Sequence, residues 1–139
     1  MDLETARRHI AACIDRMKAC YAQPVFDEWA ILAVPAKTGG IVAYGGPRAD
    51  EFRRQLARDA EPLRAAVAGK KFAEGDIEFV PDAADTHYDA FMKIGPASYL
   101  VLNHTTRTMT EIRADKKWLK AQAVLFELSE KFREDPLAT

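Results

Sequence analysis

The sequence predicts an α+β fold: a single five-stranded antiparallel sheet with helices on both faces, in the order α-β-β-α-β-β-β-α. Three observations carry it. Apolar residues recur at three- and four-residue spacing near both ends of the chain, at Leu3, Ala6, Ile10, Cys13 and Met17 and again at Trp118, Ala121, Leu125, Leu128 and Phe132, as on the buried stripe of an amphipathic helix. The runs Trp29 to Val34 (WAILAV), Tyr88 to Ile94 and Ala97 to Asn103 are apolar on both pleat faces, which suits strands covered on two sides. Short links bearing glycine or proline, AKTGG after the first run and Gly95-Pro96 between the last two, make hairpins the economical connection.

Taken in order, the first helix spans Asp2 to Ala22 and stops at Gln23-Pro24, because proline disfavours helical geometry in the residue before it. Trp29 to Val34 and Ile41 to Tyr44 are the first two strands. A middle helix follows Gly45-Gly46-Pro47, with Phe52, Leu56, Ala60, Leu63 and Val67 on one stripe. Pro62 would remove a backbone bond inside that helix at about 3 kcal/mol, so a kink or a fresh start capped by Asp59 is expected. Ile77 to Val80 is a short third strand ended by Pro81, which places it near a sheet edge. The fourth and fifth strands form the Gly95-Pro96 hairpin. Thr108 and Glu111 fit a capping box that starts the closing helix near Met109, and Leu119, Val124 and Phe126 widen its apolar face. Pro136 closes it, and the last few residues are expected to fray.

A chain of 139 residues is one domain (1–139), large enough to bury roughly two thirds of its unfolded surface. Twenty basic against 21 acidic residues leave a net charge of -1, which supplies no field for nucleic acid or an anionic membrane. The start MDLETARRHI lacks the apolar core of a signal peptide, and no apolar run approaches the ~20 residues that span a bilayer. A cytoplasmic protein is expected. Cys13 and Cys20 lie about 10 Å apart along a helix by its rise, too far for a disulfide, and are read as reduced and buried.

No catalytic constellation stands out and no cofactor is implied. If Gly95-Pro96 is a two-residue turn, Ile94 pairs with Ala97 and His87 falls opposite His104. With Asp85 or Asp89 these are the candidates for a transition-metal site; strand-end histidines at a solvated hairpin mouth are the default reading. Gly45-Gly46-Pro47 beside Arg48 can present backbone N–H groups to an anion, but the lysine and Ser/Thr of a phosphate loop are missing. Ser98 lacks the glycine-flanked elbow of an exposed nucleophile. The stripe Phe52, Leu56, Ala60, Leu63 and Val67, with small residues that permit close helix approach, is the candidate interface of a homodimer.

The hairpin WAILAVPAKTGGIVAY and the closing unit YLVLNHTTRTMTEIRADKKWLKAQAVLFELSEKF, set in this element order, resemble the Roadblock/LC7 family of the profilin-like folds. The resemblance spans nearly the whole chain. It implies a dimer built through the middle helix and an edge strand, and a non-catalytic adaptor or regulator whose partners include small Ras-like GTPases. The alternative is a small-ligand sensor of the PAS or GAF kind, in which the same layers enclose a pocket.

Overall fold

The computed structural model describes residues 1–20, 29–33, 42–43, 72–81, 88–104 and 116–138. They form an α+β fold: helix α1 (Leu3–Cys20), strands β1 (Trp29–Ala33), β2 (Val42–Ala43), β3 (Ile77–Pro81), β4 (Tyr88–Gly95) and β5 (Ser98–His104), and helix α2 (Lys116–Glu134). Four strands of five to eight residues make an antiparallel sheet. The two-residue β2 adds to its β1 side, giving the order β2-β1-β5-β4-β3. The expected middle helix with its Asp59 break, and the Thr108–Glu111 capping box, lie outside the described residues.

Asp2, expected inside the first helix, instead caps it. Its carboxylate accepts the Thr5 N–H at 2.7 Å and its carbonyl accepts the Ala6 N–H at 3.0 Å, which satisfies donors that the first turn leaves open. The bond from the Thr5 backbone holds this carboxyl below its ordinary pKa. Along α1 the buried residues are Ala6, Ile10, Cys13, Ile14 and Met17, the stripe that the spacing predicts.

Strand register assigns every sheet residue a face. Trp29 pairs with Leu102 and Ile31 with Leu100; those two pair onward with Ala90 and Met92, and these with Phe79 and Ile77. Directly paired residues point the same way, so these eight side chains line one face, and all eight join α1 and α2 in a single hydrophobic cluster. Fully buried Ile10, Met17, Ile31, Met92, Ile94 and Phe132 fill the space between sheet and helices. The helices run antiparallel, since Arg16 reaches Glu127 at 2.6 Å and His9 reaches Lys131 at 3.4 Å. Both partners of the Arg16–Glu127 pair are 58 % exposed, so it adds little stability.

The opposite sheet face is buried too. Ala30, Leu32, Phe91 and Val101 are at most 2 % exposed, and Tyr99 only 7 %. The double cover predicted from strands apolar on both faces is therefore met in their burial, although these side chains stand outside the cluster that holds α1 and α2.

The β4–β5 hairpin differs from the expectation by one residue. Gly95 pairs with Ser98, leaving Pro96-Ala97 as the loop, and Tyr88, not His87, is the Cα partner of His104. Proline's fixed φ suits the first central position of a tight turn and is disfavoured at the second, so the turn is set around Pro96 at that first position. A bulge between Lys93 and Gly95 takes up the extra residue, Ile94. A one-residue slip exchanges faces, so the cross-strand histidine pair expected from sequence is not in register.

Fraying does not describe residues 135–138. Leu137 is 1 % exposed, its N–H donates to the carbonyl of the bulge residue Ile94 at 2.6 Å, and the Ala138 N–H donates to the Met1 carbonyl at 2.9 Å. The Met1 amino group in turn donates to Asp135 Oδ1 and to the Pro136 carbonyl, each at 2.9 Å. Pro136 ends the helix as expected, but it also redirects the chain so that an apolar side chain re-enters the core. Leu137→Ala should lower the unfolding free energy by about 2 kcal/mol or more, the usual cost of truncating a buried leucine. A thermal melt unchanged from wild type would contradict the docking of this tail.

Candidate functional site: the groove between β3 and helix α2

Among the described residues β3 has one neighbour in the sheet, β4. Beside it runs an open groove of about 490 Å³ bounded by Gly75, Asp76, Ile77 and Phe79 on one side and Phe126, Ser129, Glu130 and Arg133 of α2 on the other. The turn entering β3 shapes its end. The Ala73 N–H donates to Asp76 Oδ2 at 2.9 Å, the Asp76 N–H returns to the Ala73 carbonyl at 2.9 Å, and the Gly75 N–H donates to Lys93 at 2.8 Å. Gly75 has φ of +90°, a conformation that glycine adopts without steric cost. A Cβ there would stand 2.8 Å from the Ser129 carbonyl oxygen, so the absence of a side chain is what lets the turn approach α2.

Lys93 ties the same turn to the sheet, its Nζ donating to the Phe72 carbonyl at 2.8 Å. The Phe72 ring meets Tyr99 edge-on at 6.0 Å. Burial, followed by the nearby Glu74 charge, raises the Tyr99 pKa, so its hydroxyl stays protonated at neutral pH. On the floor of the groove Phe79 meets Trp118 edge-on at 6.2 Å.

The polar groups of the groove are matched to one another. Arg133 contacts Glu130 and lies 3.9 Å from Asp76 Oδ1. The Ser129 hydroxyl donates to the Phe126 carbonyl one turn back at 2.7 Å. Phe126, which lines the groove, is 48 % exposed, and Leu119, seven residues earlier on the same helix, is 54 % exposed. Both were expected in the apolar face of the closing helix, and for Val124 that expectation holds. At 100° per residue, Leu119 and Phe126 instead stand roughly 130° from the centre of the buried arc. Their one-residue offset from the buried Trp118 and Leu125 is the signal that could have separated them from the core stripe.

A second, smaller depression of about 280 Å³ lies on α1, lined by Glu4, Arg7, Arg8, Ala11 and Trp29. Its indole is buried.

Cys13 and Cys20 are free thiols. Cys13 Sγ lies 3.8 Å from Met17 Sδ and 3.7 Å from the Val124 carbonyl, and burial pushes its pKa up to about 12. It is a core residue, inert as a nucleophile because the thiolate is the reactive form. In the folded protein at pH 8, a thiol reagent should modify the half-buried Cys20 and spare Cys13 until denaturant is added. Rapid loss of both thiols without denaturant would refute that assignment. The raised value also gives a sign for pH dependence: the native state holds this proton more tightly than the unfolded chain. The corresponding stability is therefore complete below the ordinary thiol pKa of 9.0 and is lost as pH rises towards 12.

Of the residues singled out from sequence, Phe52, Leu56, Ala60, Leu63, Val67, Arg48 and His87 lie outside the described residues, and His104 ends β5 opposite Tyr88. Ser98 is buried in its strand, as its apolar setting predicted. Among the described residues no three His, Cys, Asp or Glu side chains gather as a metal-binding group, and no helix is long and apolar enough to cross a membrane. Compared with protein-family models, characterised proteins and solved structures, the chain matches none.

Proposed function

We propose that this protein is a non-catalytic, dimeric adaptor or regulator of the Roadblock/LC7 type, with a small Ras-like GTPase as its partner. The observation that carries the interaction reading is the pair Leu119 and Phe126, large side chains left half in water, the second of them lining the groove beside β3, which has one sheet neighbour among the described residues. Exposed large apolar side chains beside a groove are what proteins ordinarily blunt unless a partner uses them. In this reading the stripe Phe52, Leu56, Ala60, Leu63 and Val67 meets its copy across a two-fold axis.

Light scattering on the purified chain should return twice the monomer mass over a wide concentration range, and Leu56→Asp should shift it to monomer while the circular dichroism stays native. Titration with purified Ras-like GTPases from the same genome, in both nucleotide states, should show saturable binding that Phe126→Asp weakens at least tenfold. A strict monomer that binds none of them would overturn the proposal.

A further inference from the structure

No further inference is drawn: the strongest candidate, the groove between the β3 edge and α2 with exposed Phe126 at its rim, belongs to the surface already described, and nothing in the structure shows what covers it.

Discussion

Phe132→Ala is expected to lower the unfolding free energy by about 3–5 kcal/mol, the usual cost of emptying a buried aromatic site. Phe126→Ala, six residues earlier on the same helix, should cost no more than about 1 kcal/mol. The residue type and the helix are shared, so propensity cancels and burial decides. Phe132 is 0 % exposed and sits in the cluster that joins α1, the sheet and α2, where its removal leaves a cavity that close-packed neighbours fill only in part. Phe126 is already 48 % exposed and forfeits only part of the transfer free energy of a buried ring. Urea unfolding followed by tryptophan fluorescence reads both variants, since Trp29 and Trp118 are buried in the same cluster. Equal midpoint shifts for the two variants would show that α2 is rotated from the orientation described.

Gly75→Val is expected to cost about 3 kcal/mol or more, from two sources that act together. A β-branched residue at φ +90° is a backbone outlier, and strain of that kind costs on the order of 1–3 kcal/mol. The added Cβ would also lie 2.8 Å from the Ser129 backbone carbonyl. A backbone atom in a packed helix cannot swing aside as a side-chain end would, and overpacking adds typically 1–3 kcal/mol. Relief requires the turn to lift away from α2, which widens the groove along β3. Hydrogen exchange should therefore speed up at Gly75, whose N–H is bonded to Lys93, more than at the central β1–β5 ladder. Unchanged exchange and a wild-type melt would contradict the close approach of turn and helix.

How far the sequence could be read depended on the period of its apolar residues. The stripe Ala6, Ile10, Cys13, Met17 could bury itself only as a helix, and β1, with Trp29 to Leu32 all buried, could only be a strand covered on both sides. Among the described strands β3 is outermost, as Pro81, which lacks a ladder donor, leads one to expect. Register was less legible. Whether the turn is Gly95-Pro96 or Pro96-Ala97 depends on one dihedral preference and one bulge at Ile94, and a single residue decides whether His87 or Tyr88 faces His104.

Leu119, Phe126 and Leu137 mark the other limit. All three read as apolar residues near the end of an amphipathic chain, yet two stand half in water and the third is buried after the helix has ended. Hydrophobicity states that a side chain gains by leaving water; it does not state which surface is there to receive it. Local periodicity by itself thus determined the α+β class, the two terminal helices and their buried stripes, and the strands that needed cover on both faces. Only the tertiary structure decided the hairpin register, the groove beside β3 and the return of Leu137 to the core, because each depends on contacts between residues far apart in the chain.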